Sequence, residues 1–431
     1  MFAQSSRRML IIGSVFMLLP FVVLAQTDTL KISHQKAEEL FLAHNLQLIA
    51  QRYNVEQAKA EVITAKLFDN PQFTYENVFY NPDTKKYFQT SSADGQGQYQ
   101  AQLSQLFKLA GKRNKSIQLA TTGLKVAEYE FADLVRTLRY TLRTNYHTIY
   151  YKQQSAAIYE TELNSLKQLL GVYKVQLQKG NVAEKELLRI QSLLYTLQAE
   201  QAQVLNELED VQTELRQLLG VGVTTVIVPD DQDEKFATDI VVTKITYASL
   251  LDSALVNRPD LNVAKTNIDY ANINLKLQKA MGVPDLTISA SYDLQGSYIK
   301  NYNGVGVSLS LPFFNRNQGV IKQAHSRIAQ RKAETEVLDN QIKNELSASY
   351  QRALRLAALH KSVDPTFKEN FKGLIEQVNL NFQKRNIGML EFLDFYDSYK
   401  VNTLQLNSLT EDLLNTLEEL NYLTATPFFN R

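Results

Sequence analysis

Residues 304–319 read GVGVSLSLPFFNRNQG. Up to Pro312 small or polar residues (Gly304, Gly306, Ser308, Ser310) alternate with apolar ones (Val305, Val307, Leu309, Leu311), the period of a strand with two unlike faces. Pro312 and the basic, Asn-rich turn behind it end the pattern. The preceding segment, DLTISASYDLQ (residues 285–295), alternates too: Leu286, Ile288, Ala290, Tyr292 and Leu294 oppose Thr287, Ser289, Ser291, Asp293 and Gln295. A strand pair over 285–299 and 303–311 thus sits between some sixty residues of helical pattern on either side.

A second pair precedes it, over 72–80 and 96–106. Phe73, Tyr75 and Phe79 share a face against Thr74 and Glu76, and Tyr99, Ala101 and Leu103 oppose Gln98, Gln100, Gln102 and Ser104. A soluble half-buried sheet shows the same alternation. Strands of about ten residues with outward aromatics and an uncharged Gln/Ser/Thr face also match a membrane barrel with a wet lumen. Four strands cannot close a barrel, because about eight are needed, and an open edge in lipid leaves backbone groups unsatisfied. In a membrane, one chain must share its barrel with others. The polar stretch between the first pair, NPDTKKYFQTSSADG (81–95), reads as an external loop.

The helical segments are longer than a globular core requires. From Arg113 to Lys179 there is no proline, and apolar residues recur every seventh position at Ile117, Leu124, Phe131 and Leu138. The register then jumps by four to Leu142 and continues through Ile149, Ala156, Leu163, Leu170 and Leu177, which should keep part of the helix nearly straight. Such a helix is roughly 100 Å long at about 1.5 Å per residue. In the later segment Pro365 should kink or interrupt the helix, where Glu160 holds the corresponding place in the earlier one.

The chain is written twice. Ile32–Thr74 lies on Ile245–Thr287 without a gap, matching Leu42 to Leu255, Ala58 to Ala271, Lys66 to Lys279 and Pro71 to Pro284. LSQLF (103–107) then falls over LSLPF (309–313), and LQKGNVAEKELL (177–188) over FQKRNIGMLEFL (382–393). Each copy is a helix, a strand pair and a long helical hairpin. The first repeat covers 26–220, with its hairpin over 113–220 and its tip near 180–184. An irregular connector follows over 221–243. The second repeat covers 244–431, with its hairpin over 319–424 and its tip near 385–389. The fold class is mainly α with a small β part.

Composition narrows the function. Lys and Arg number 46 against 45 Asp and Glu, too even a balance to hold nucleic acid electrostatically. Arg7 and Arg8, an apolar run from Met9 to Leu24 and the small residues before Gln26 read as a cleaved signal peptide over 1–25, the alternative being a retained anchor. There is no cysteine, hence no disulfide, thiolate metal site or lipid-modified N-terminal cysteine. The five histidines (His34, His44, His147, His325, His360) show no metal-ligand spacing, and no Gly-rich phosphate loop precedes a helix. No enzyme, no cofactor and no metal site is expected.

With these landmarks in order, the mature chain resembles the TolC family of outer-membrane efflux ducts from about residue 30 to 425. It is most similar to the heavy-metal exporter branch on the strength of LSQLFKLAGKRNKS and LSLPFFNRNQGVIKQA. The resemblance implies a homotrimer whose four strands per chain complete a twelve-stranded outer-membrane barrel, continuous with a periplasmic tube of α-helical hairpins. It also implies a periplasmic adaptor and an inner-membrane pump as partners, in a tripartite efflux or type I secretion system. The family's closed end is at the hairpin turns, where glycine and a following acidic residue are usual. Gly180 and Glu186 fit at the first turn, and Glu391 at the second, where Arg385 replaces the glycine and Gly388 comes three residues later. Glu186 and Glu391 are therefore candidates for a periplasmic gate, or else solvent-facing helix charges. Gly180, Asn181, Val182, Asn386, Ile387 and Gly388 are candidates for adaptor contact. The rival reading is a periplasmic coiled-coil scaffold or adhesin without a pore.

Overall fold

The computed structural model describes residues 28–90, 97–230, 242–295, 299–364, 366–384 and 386–429. The expected signal peptide, Pro365 and Arg385 lie outside them.

Each half opens with two helices where the periodicity predicts one. α1 (His34–His44) and α2 (Leu46–Lys66) meet at Asn45, and α5 (Tyr247–Asn257) and α6 (Pro259–Met281) meet at Arg258, the same place in the repeat. Asn45 is extended and caps α2, its side chain accepting from Leu48 N–H at 3.0 Å and donating to Leu218 O at 3.1 Å. Pro259, as the first residue of α6, lacks an N–H and bars the residue before it from helical geometry.

Strands β2 (Gln72–Asn77), β5 (Tyr99–Phe107), β7 (Leu286–Asp293) and β8 (Tyr302–Leu309) form one antiparallel sheet in the order β2-β5-β7-β8. The central pair β5–β7 joins the two halves, with Leu103 opposite Ala290 and Ser104 opposite Ser289. Beyond β2 a small hairpin of β3 (Tyr80–Asn81) and β4 (Lys86–Tyr87) carries packed aromatic rings, Tyr80 on Tyr87 at 4.9 Å and Phe79 on Phe88 at 5.2 Å.

At the opposite end of the sheet the long helices begin. A left-handed residue starts each one, Gly111 (φ 66°) before α3 (Lys112–Gln178) and Asn317 (φ 63°) before α7 (Gln318–Ser362). The junction is pinned by Asp285, which accepts from Leu109 N–H at 2.9 Å and from the buried Lys112 ammonium at 2.7 Å. α3 runs unbroken for 67 residues, about 100 Å, and returns as α4 (Glu184–Leu219). In the second half the descending limb is split into α7 and α8 (Phe367–Gln383) before α9 (Met389–Thr424) returns. The break brackets position 365, and Asp364 receives the Thr366 N–H at 2.8 Å.

The connector differs from the expectation. Within the stretch expected to be irregular, β6 (Val226–Pro229) pairs in parallel with β1 (Thr29–Ile32). Its β-branched residues favour a strand, and the Gln212 side chain holds Ile227 by both its N–H (3.0 Å) and its carbonyl (2.6 Å). The partner strand lies some two hundred residues away, out of reach of any local pattern.

Three cores stabilise the length of the molecule. One gathers Phe41, Leu142, Tyr146, Ile149 and Leu215; a second Leu250, Ile342, Leu346 and Leu420; a third lies toward the tips and includes Leu166, Ile190, Val378 and Phe392. Among the described residues no helix is long and apolar enough to cross a membrane.

Candidate functional site

The sheet register sorts its residues into two chemically distinct faces. Phe73, Leu103 and Ala290 line up across three strands with Val305, and Gln105, Ile288 and Val307 form the neighbouring row. On the other face Thr74, Gln102, Ser291 and Gly304 share a row, as do Gln72, Ser104, Ser289 and Gly306. The apolar face is bare: Phe73 is 68% exposed, Val305 83% and Val307 66%. Leaving such a contiguous patch in water is costly, and it marks a surface that either a protein partner or a membrane covers.

The polar face is tighter, and this is where glycine is needed. A Cβ at Gly306 would stand 2.7 Å from Ser289 Oγ, and one at Gly304 would stand 3.0 Å from Ser291 Oγ. Gln98 Nε2 donates to Asp293 Oδ1 at 3.0 Å, adding a side-chain link between β7 and the residue before β5. β2 and β8 are the outer strands, so the outer backbone groups of each are unpaired within the sheet.

The hairpin tips lie at the far end of the long helices. In the first, Gly180 takes the left-handed conformation (φ 74°) that a side chain would strain, and donates to Leu177 O at 2.9 Å. Asn181 then closes the turn, with its N–H on Gln176 O at 2.9 Å and its amide on Gln176 Oε1 at 2.7 Å. The second tip repeats the arrangement, with Asn386 N–H on Asn381 O at 2.8 Å and its amide on Asn381 Oδ1 at 3.2 Å. The departure from glycine at Arg385 therefore leaves the Asn386 bonds alike.

Val182 and Ile387 are half-buried, Asn181, Asn386 and Gly388 exposed. Met389 and Ile387 pack against the tip core, where Phe382 stacks on Phe392 at 4.3 Å. Glu186 and Glu391 both occupy the third position of their helices, after Ala183 and Gly388, neither of which supplies a side-chain cap. A carboxylate there offsets the positive helix terminus. Glu186 is half-buried and Glu391 exposed.

Comparison with known proteins agrees with this geometry. The cobalt-zinc-cadmium resistance protein CzcC of Cupriavidus metallidurans is 21% identical over 367 residues, 84% of this chain and 82% of the relative. The fold is that of a membrane protein from Pseudomonas aeruginosa (TM-score 0.72, 15% identity, 91% of this chain and 92% of the other). It is also that of CusC, whose structures concern folding and transmembrane channel formation (TM-score 0.69, 17% identity, 90% and 91%). The sequence profile described as outer membrane efflux protein matches residues 39–221 and 250–383. The two-faced sheet, the paired long hairpins and this match over most of the chain together establish that the protein belongs to the outer membrane efflux protein family and is an outer-membrane efflux channel.

Proposed function

We propose that three copies of the chain assemble around one axis, each giving its four strands to a twelve-stranded barrel in the outer membrane. The long hairpins then form a periplasmic tube. The observation that carries this reading is the four-stranded sheet with two open edges, a bare apolar face and a polar one. Edge-to-edge pairing of identical copies satisfies the backbone groups that lipid cannot. The polar lining of Gln, Ser and Thr gives a passive conduit of low selectivity, so the energy for export comes from an inner-membrane pump coupled through a periplasmic adaptor. The name of the CzcC relative favours divalent metal ions as cargo.

In the same reading Glu186 and Glu391 face the narrow end of the tube as a ring of carboxylates that attracts cations, and their mutual repulsion makes the closed state sensitive to pH and to adaptor contact. Gly180, Asn181, Val182, Asn386, Ile387 and Gly388 form the tips that the adaptor engages.

Purified protein in detergent is expected to have the native mass of a trimer and to conduct in a planar bilayer. The double variant Glu186→Gln with Glu391→Gln is expected to lower the preference for cations by roughly threefold or more. A detergent-free soluble monomer without conductance would remove the conduit, whereas unchanged selectivity in the double variant would remove only the gate assignment.

A further inference from the structure

We propose that His34, His147 and Glu418 form a binding site for one divalent transition-metal ion of the Zn2+ or Co2+ class in each chain. The three residues are far apart in sequence. His34 is the first residue of α1, His147 lies midway along α3, and Glu418 is near the end of α9. Folding brings one ligand atom of each within 4.8 Å of the others. The imidazoles lie stacked, centroids 6.0 Å apart and planes at 26°, and the Tyr146 ring packs edge-on against His34 at 5.3 Å.

Two imidazole nitrogens and one carboxylate oxygen are the donor set of a site that keeps one position open for water. Ligand atoms around a tetrahedral ion are about 3.3 Å apart, so binding requires the side chains to rotate and draw their donor atoms closer than the 4.8 Å within which they now lie. His147 and Glu418 are buried while His34 is half-buried, which leaves a way in from one side.

The charges around the site are balanced before any ion enters. Arg143 reaches Glu418 at 3.2 Å and Glu38 at 3.2 Å, and Arg139 pairs with Glu38 as well. Arg143 thus orients the Glu418 carboxylate, as neighbours of metal ligands commonly do. Its positive charge also opposes the ion, so affinity falls below that of closed four-ligand sites. A bound ion would tie the first helix to α3 and to α9, elements from both halves of the chain. The site lies within one chain and does not depend on what the duct carries.

The test uses the full-length protein in detergent, stripped with a chelator and titrated with Co2+ by visible absorption and with Zn2+ by calorimetry. One ion per chain is expected, with Zn2+ displacing Co2+ and the Co2+ bands indicating nitrogen and oxygen ligands. His34→Gln and Glu418→Gln, each with unchanged helicity, are expected to weaken binding at least tenfold. His34 is only half-buried, so its variant remains informative even where replacement of the buried His147 prevents folding. Absence of stoichiometric binding up to about 1 mM metal, or the same affinity in His34→Gln, would overturn the proposal.

Discussion

A chain carrying Val307→Arg is expected to be exported and to fail to enter the outer membrane. Val307 stands on the bare apolar face, in the outer strand β8 and opposite Ile288 on β7. An arginine facing lipid near the midplane of a barrel costs about 2–4 kcal/mol, and three copies meet that cost together in the proposed trimer. Ser308→Arg, one residue on, places the same charge on the exposed polar face, where water solvates it. That variant is expected to assemble and to show altered conductance. Membrane fractionation and heat-modifiable gel mobility compare the two. Equal insertion of both variants would mean that the sheet does not have a lipid side.

Glu162→Gln is expected to abolish a loss of stability that the wild type suffers as pH rises from about 4.5 to 8. Glu162 lies on α3 about 27 Å from the first tip, is 3% exposed, and has no hydrogen-bond partner for Oε1 among the described residues. Burial pushes its carboxyl up to about 8, against the pull of Lys400 and with the help of Asp397 and Glu200. Lys400 is committed to Glu200 at 3.1 Å and Asp397 at 3.3 Å, and Tyr159, Tyr396 and Tyr399 complete the surroundings.

The sign follows from the neutral form being the one that fits. Between about pH 4.5 and 8 the native chain holds a proton that the unfolded chain has lost, so stability falls as pH rises through that window and levels off above it. The full loss is bounded at about 5 kcal/mol, since each pH unit across the window contributes about 1.4 kcal/mol. Glutamine keeps the shape without the charge, so thermal midpoints measured by circular dichroism from pH 5 to 9 should flatten, with the variant ahead at pH 9. Parallel curves for variant and wild type would show that Glu162 is already ionised in the folded chain.

The mainly helical architecture with a small sheet was legible because its two periods are so different. Val305, Val307 and Leu309 alternate with glycine and serine, while Ile117, Leu124 and Phe131 recur at sevens. The breaks at Asn45 and Arg258 carry only short local marks, a capping asparagine and an Arg-Pro pair, inside an apolar periodicity that runs on through them. No local signal exists for the parallel β1–β6 pair, or for the meeting of His34, His147 and Glu418, since both depend on how distant elements pack. Histidine spacing excludes a site on one helix or loop; it is silent about sites shared among three helices. At the tips, sequence alignment locates Glu186 and Glu391 at equivalent places, but what they face depends on neighbouring chains.

The most direct measurement uses the absence of native cysteine. Single substitutions Ser291→Cys on the polar face and Val305→Cys on the apolar face are reconstituted in bilayers and exposed to a charged, membrane-impermeant thiol reagent while current is recorded. The expected result is that modification at 291 lowers conductance and that 305 stays unreactive until the lipid is dissolved. Reaction at 305 with 291 protected, or equal reaction at both without any change in current, would contradict a sheet with lipid on one side and a water-filled pore on the other.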